Sequence, residues 1–211
     1  DKMSKESNRI KAIHLDKNVG LSGARNFGLT LATGKYVFFM DSDDYIEYDL
    51  FKTIYKEYMQ NSPQLLIWGL TEEYYGSNDN LKYTKSIPSS YCFLNNAENV
   101  RFHTLELEEK TLLGYAWNKA YSLDHIKKLG IRYKNITLIE DIIFNLEFIE
   151  DIDKITILEG KFYHYRKGIE SSLTSKFLPN YFELNSERVQ KVLDQQKRWN
   201  VCTDEAKNIL A

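Results

Sequence analysis

The stretch Tyr36-Val37-Phe38-Phe39-Met40-Asp41-Ser42-Asp43-Asp44 decides the fold. Its apolar half is too short for a helix and too uniformly hydrophobic for a half-exposed strand, so it reads as a strand buried on both faces. It then stops abruptly on carboxylates. In open α/β sheets, ligand-binding groups collect outside the carboxyl ends of such strands. Asp41 and Asp43, one residue apart, suit a hard divalent ion such as Mg²⁺ or Mn²⁺, which takes one or two protein carboxylates and bridges to phosphate oxygens. For the cluster alone, the plainer reading is that the carboxylates cap the helix that follows.

Upstream, residues 10–15 read as a short strand and 16–21 as a loop. A helix then follows with Ser22 as its N-cap and Gly34 as the residue after it, with Ala24, Phe27, Gly28 and Leu31 on one face. Strand, helix and strand within about thirty residues is the βαβ rhythm of a parallel sheet. Downstream, Leu50, Phe51, Ile54, Tyr55 and Tyr58 mark a helix closed by Pro63, and residues 65–70 are again strand-like. Residues 72–75 and 81–87 form a hairpin around Gly76 and Asn78-Asp79-Asn80. Ser122 caps a helix that ends at Gly130, and residues 139–149 make an apolar helix led by Glu140 and Asp141. Residues 155–158 and 162–165 read as two short strands split by Glu159-Gly160. From Tyr181 the chain is helical, with Val189, Val192 and Leu193 inward. With three prolines and no linker-like segment, one domain with a helical tail is expected.

Composition narrows the function. The 211 residues carry 28 Lys and Arg against 30 Asp and Glu, so there is no basic excess to grip nucleic acid. No run approaches the length of a membrane span. Cys92 and Cys202 have neither CxxC spacing nor histidine company and read as reduced thiols.

Two further segments carry chemistry. In Gly20-Leu21-Ser22-Gly23-Ala24-Arg25-Asn26, glycines allow close backbone approach, a helix start offers free N–H groups, and Arg25 and Asn26 add a cation and an amide. That suits a phosphate-bearing anion, yet it is neither a Walker loop nor GxGxxG. Glu140-Asp141 opens a helix, where a carboxylate pair commonly serves the helix dipole but is also placed to act as a general base. His164 alone reads as a satisfied strand histidine.

Taken in order, Gly20 to Asn26, Ala32-Thr33-Gly34-Lys35 leading into the acidic strand end, Trp117-Asn118-Lys119-Ala120-Tyr121, and Glu140-Asp141-Ile142-Ile143-Phe144-Asn145 resemble the family 2 glycosyltransferases of the GT-A fold, over residues 10–174. The resemblance implies an α/β fold with a Rossmann-like, mostly parallel sheet flanked by helices. It divides the chain into a transferase domain over residues 1–175, lacking its first two strands, and a helical extension over 176–211.

It further implies an inverting transfer from a nucleotide-sugar, commonly a UDP-sugar, to a glycan or lipid-linked acceptor in cell-surface polysaccharide synthesis. The enzyme would be cytoplasmic and peripherally associated with the inner face of the membrane. Asp141 corresponds to the catalytic base, and Asp43 and Asp41 to the DxD pair that holds Mn²⁺ or Mg²⁺ and the donor. Ser22, Arg25 and Asn26 lie on the donor side; Trp117, Asn118, Lys119 and Glu140 on the acceptor side. His164 and Arg166 could reach the diphosphate, and Ser171-Ser172-Leu173-Thr174 resembles a loop that orders over the donor.

A polypeptide without the two leading strands is expected to bind donor weakly and turn over little, and robust sugar transfer by these 211 residues alone would contradict that. Two other readings stand beside this one. The chain could be a non-catalytic sugar- or nucleotide-binding remnant of such an enzyme. Phosphatases of the haloacid dehalogenase type also place DxD after a buried strand, but they continue with a small residue or Gly-Thr where Asp44-Tyr45-Ile46 follows here.

Overall fold

The computed structural model describes residues 2–76, 79–136, 138–168 and 179–201. Two short helical pieces of the chain come first, α1 (Lys2–Glu6) and α2 (Gly20–Leu31), followed by β1 (Tyr36–Phe38), β2 (Tyr45–Ile46) and α3 (Leu50–Asn61). Then come β3 (Leu65–Tyr75), β4 (Leu81–Ile87), β5 (Cys92–Leu94), α4 (Ala97–Glu109), β6 (Lys119–Ser122), α5 (Leu123–Leu129), α6 (Glu140–Ile149), β7 (Ile155–Lys167) and α7 (Tyr181–Arg198). The strands form one sheet in the order β1-β6-β3-β7-β2, with β4 added to β3 and β5 to β7.

The core lies on β3 and its neighbours. Leu65, Leu66, Ile67, Trp68 and Leu70 are all fully buried, as are Tyr121, Ile155 and Tyr163 on the adjoining strands. A strand covered on both faces needs a continuous apolar run, and residues 65–70 supply it. The expected hairpin forms, with Tyr74 opposite Tyr83 and Glu72 opposite Lys85. Ser122 Oγ accepts the His125 N–H, and Gly130 ends α5 in the left-handed conformation at φ 66°.

The α/β architecture with packed helices is as the resemblance implies, but the strand directions correct the mostly parallel sheet. Among the described residues only β3 and β7 pair in parallel; β1–β6, β6–β3, β3–β4, β5–β7 and β2–β7 are antiparallel. β6 enters the sheet between β1 and β3 from the opposite end, and a tight hairpin can join only antiparallel neighbours.

Residues 10–15 are not a strand. No ladder reaches them among the described residues, and Ile10, Ile13 and Leu15 are exposed. Residues 155–165 make one strand, not two. At Gly160 (φ 119°) the strand shifts register against β3 instead of ending. The crossing is close: a Cβ on Gly69 would meet the Gly160 carbonyl oxygen at 2.3 Å, so only glycine fits there. Ser89 Oγ stitches the shift by accepting from Gly69 N (2.8 Å) and donating to Leu158 O (2.6 Å).

α2 also differs from expectation. It begins at Gly20, so Ser22 lies inside it without capping, and it ends at Leu31 with Ala32 as its C-cap, two residues short of Gly34. Its inward face is Ser22, Arg25 and Leu29, while Phe27 and Leu31 are exposed. α7 packs on α6: Gln195 Nε2 donates to Leu146 O (2.8 Å), and Val192 is buried, with Val189 and Leu193 half-buried. The domain boundary expected near residue 175, the Ser171 to Thr174 loop and Cys202 lie outside the described residues. Cys92 is a free thiol. Among the described residues, no helix is long and apolar enough to cross a membrane.

Candidate active site

A buried guanidinium joins two of the expected carboxylates. Arg25 projects inward from α2, where one Nη hydrogen-bonds Asp141 Oδ1 and the other meets Asp41 Oδ1 at 3.2 Å. Its carbon lies 5.2 Å from the Tyr133 ring centre and 5.8 Å from that of Phe39. This explains the reversed face of α2: an arginine at this position outweighs the apolar residues because two carboxylates and two aromatic faces receive it. Burial works against the Arg25 charge, but Asp141, Tyr133 and Asp41 more than offset it, so its pKa lies above the ordinary value.

Asp41 is reached from β1. Burial raises its pKa, opposed by Arg25 and reinforced by Asp141 and Asp43. The acidic turn is pinned from β7: Tyr163 Oη accepts the Asp41 N–H (3.2 Å) and donates to Asp44 Oδ2 (2.7 Å), while Arg166 N donates to Asp44 Oδ1 (2.9 Å). α3 starts only at Leu50, with Asp49 at its N-cap, so the cluster does not cap that helix. Asp43 is exposed and, among the described residues, has no hydrogen bond or ion pair.

Asp44 was not among the expected site residues, and its role is to hold the turn. Burial pushes its pKa up from 3.8 to about 6, partly offset by the hydrogen bonds from Arg166 N and Tyr163. A carboxylate with a raised folded pKa favours the fold below its unfolded pKa, and that contribution is lost as pH rises through about 6. The stability of the protein relative to Asp44→Asn should therefore fall by about 1–2 kcal/mol between pH 4 and pH 7, after allowance for partial solvent screening. Urea unfolding of both proteins across that range measures the difference, and a flat one would contradict it.

Asp141 comes from the first turn of α6. Its Oδ2 accepts the Ala116 N–H at 3.0 Å, so a carboxylate with about four acceptor sites has two of them occupied. Ala116 belongs to a loop that buried polar groups hold. Lys119 Nζ donates to Leu112 O (2.6 Å) and Asn118 Oδ1 (2.7 Å), and Asn118 Nδ2 donates to Trp68 O (3.2 Å) and Leu112 O (3.1 Å). Asn145 Nδ2 donates to Leu113 O (2.6 Å), and Tyr121 Oη donates to Asn145 Oδ1 (2.6 Å). Desolvation drives the Lys119 pKa well below its ordinary value. Neighbouring Glu140 is buried with Oε2 unpartnered, and burial, then Asp141, raises its pKa.

Of the expected residues, Arg25, Asp41, Glu140 and Asp141 come together, and Asp43 joins them through the acidic turn. Trp117 is stacked between Tyr115 (4.4 Å) and Tyr163 (4.3 Å), beside that turn. Ser22 is buried in α2. Asn26 is spent on the Tyr133 backbone, accepting its N–H and donating to its carbonyl, both at 2.8 Å. Asn118 and Lys119 are fully buried and shape the loop from behind.

His164 and Arg166 alternate with Tyr163, so their side chains leave β7 on the other face. The His164 nitrogens meet Glu73 and Glu47, each at 2.9 Å, and Arg166 pairs with Asp79 at 2.8 Å. Tyr163, Tyr133 and Asn145 were missed. Only Asn145 had a sequence signal: it sits one helical turn after Asp141 and so shares its face.

A family model described as "Glycosyl transferase family 2" matches residues 1–130. The chain is 27% identical over 177 residues to "Uncharacterized glycosyltransferase EpsJ" of Bacillus subtilis (strain 168), covering 83% of this chain and 50% of that protein. It is 31% identical over 183 residues to "Glycosyltransferase GlyA" of Streptococcus pneumoniae serotype 4, covering 82% and 25%. The chain thus spans half or less of the length of these relatives. Among solved structures, S. aureus TarS residues 1–349 in complex with UDP-GlcNAc aligns with a TM-score of 0.66 at 19% identity, covering all of this chain and 57% of that one.

Proposed function

Because the chain belongs to glycosyl transferase family 2, we propose that it moves a sugar from a nucleotide-sugar, a UDP-sugar, to a hydroxyl of a glycan or lipid-linked acceptor, with inversion. The observation that carries this reading is the Asp41–Arg25–Asp141 ion triplet, which ties the acidic turn to the helix start across the sheet end. The structure of TarS with UDP-GlcNAc supports the choice of donor.

In the reaction, the acceptor oxygen bonds to the anomeric carbon as that carbon's bond to the diphosphate oxygen breaks on the opposite face. The bonding electrons leave with the diphosphate, and the acceptor proton passes to the Asp141 carboxylate. Arg25 orients Asp141 through Oδ1 for that transfer, and Ala116 N fixes its second oxygen. Tyr115, half-buried and stacked on Trp117, offers a ring edge and face beside the loop that holds Asp141.

A divalent ion fits the residues present. Asp41 and Asp141 share one buried guanidinium with Glu140 nearby, and Asp43 adds an exposed, unpaired carboxylate. Among the described residues no cluster of three or more His, Cys, Asp or Glu side chains could hold a metal. An ion here would rest on Asp43 and Asp41 and take its remaining ligands from substrate oxygens, as is usual for Mg²⁺. Bound there, it would neutralise charge on the departing diphosphate.

Mn²⁺-dependent hydrolysis of a UDP-sugar panel by the full-length protein tests this reading. Asp43→Ala and Asp141→Ala should each lose most of that activity. Activity equal to the parent in both variants would overturn it.

A further inference from the structure

We propose that the sheet face carrying Tyr165 and Lys167 of β7, Glu72 and Tyr74 of β3 and Tyr83 of β4 is a track for the pyranose rings of an oligosaccharide acceptor. The proposal rests on the transferase reading and narrows its acceptor from any hydroxyl compound to a chain of neutral sugars.

Register places these side chains together. Glu72 pairs with Tyr165 and Tyr74 with Lys167 across the parallel ladder, and Tyr74 faces Tyr83 across the hairpin. Residues two apart along a strand share a face, so Tyr163, Tyr165 and Lys167 lie in one row. That row begins at the acidic turn, where the Tyr163 hydroxyl touches Asp44 and the Asp41 N–H. It runs for about 13 Å at about 3.3 Å per residue, away from the reacting centre and out along the hairpin.

The rings are continuous along it. Tyr165 lies 5.1 Å from Trp117 and 6.0 Å from Tyr115; Lys167 Nζ stands 5.0 Å from the Tyr165 ring centre and 5.3 Å from that of Tyr74; and Tyr74 stacks on Tyr83 at 4.3 Å. Tyr83 ends the row 57% exposed, on a strand otherwise turned to solvent. A stacked tyrosine pair exposed on a hairpin contributes little to the core, but its π faces are negative and attract the C–H faces of a sugar ring.

Between the rings sit the partly exposed Lys167 ammonium and the buried Glu72 carboxylate. Glu72 is bound by Lys167, by the Tyr74 hydroxyl (2.8 Å) and by Lys85 (3.9 Å). Both lysines on this face are thereby paired with a carboxylate, which disfavours a polyanion such as a nucleic acid. Neutral sugars fit the arrangement: tyrosine rings for stacking, with the partly exposed Lys167 ammonium for hydroxyl hydrogen bonds.

Saturation-transfer NMR with chitotetraose, cellotetraose and β-1,4-galactotetraose tests the track, alongside UDP binding and UDP-sugar hydrolysis by the same full-length preparations. At least one tetrasaccharide should bind. Tyr83→Ala should weaken that binding by about five- to tenfold, the range expected for losing an aromatic stack. Tyr83→Phe, which keeps the ring, should bind as the parent does, and UDP binding should be unchanged in both.

Parental hydrolysis with no tetrasaccharide bound, or with Tyr83→Ala binding as tightly as the parent, overturns the track and leaves the transferase reading standing. Absence of both UDP binding and hydrolysis in the parent overturns the two together.

Discussion

Asp141→Asn should lower sugar transfer by about 10²- to 10⁴-fold, the range for removing a positioned general base, while donor binding persists. The amide keeps the shape of the carboxylate, and its oxygen can still accept from Arg25 or Ala116 N, the two donors that hold Asp141. It cannot take up a proton from the acceptor. Steady-state transfer with saturating donor reads the loss, and a thermal-unfolding control confirms that the variant is folded. Retention of more than about a tenth of parental turnover would remove Asp141 from the role of base.

Arg25→Met should destabilise the protein by about 3–5 kcal/mol, because deleting one partner of a buried ion pair leaves uncompensated charge. Arg25 is 8% exposed and is the ion-pair partner of both Asp41 and Asp141. Arg25→Lys should recover part of the loss: it restores the charge, but a point ammonium cannot fork to two carboxylates or lie flat on the Tyr133 ring. Chemical denaturation measures both variants. Combining Arg25→Met with Asp141→Asn should cost less than the two changes added, since each removes the same interaction. Strict additivity would mean that the triplet contributes little.

The parts of this molecule legible in the sequence are those that local chemistry decides. The 81–87 hairpin partner, the Ser122 cap, the Gly130 stop and the helix led by Glu140 all follow from turn residues, caps and apolar runs within a few positions of one another. What sequence reading missed depends on partners distant along the chain. The inward face of α2 is set by Arg25 reaching residues 16 and 116 positions away. β7 continues through Gly160 because Gly69 and Ser89 accommodate the shift.

The site follows the same division. Asp41, Asp43 and Asp141 were visible as carboxylates at strand and helix ends. The resemblance put Asn118 and Lys119 on the acceptor side, yet both are fully buried and satisfied by backbone carbonyls that no spacing rule reveals. His164 and Arg166 were misplaced by one step of strand alternation relative to Tyr163, the residue that does meet the acidic turn.

In the proposed division of labour, Asp43 would serve the metal and donor and Asp141 the acceptor. Calorimetric titration of UDP into the full-length protein, with and without Mn²⁺, tests it in three proteins. Mn²⁺-dependent binding is expected in the parent and in Asp141→Asn, with its loss in Asp43→Asn. Equal binding by both variants, or loss confined to Asp141→Asn, would contradict it.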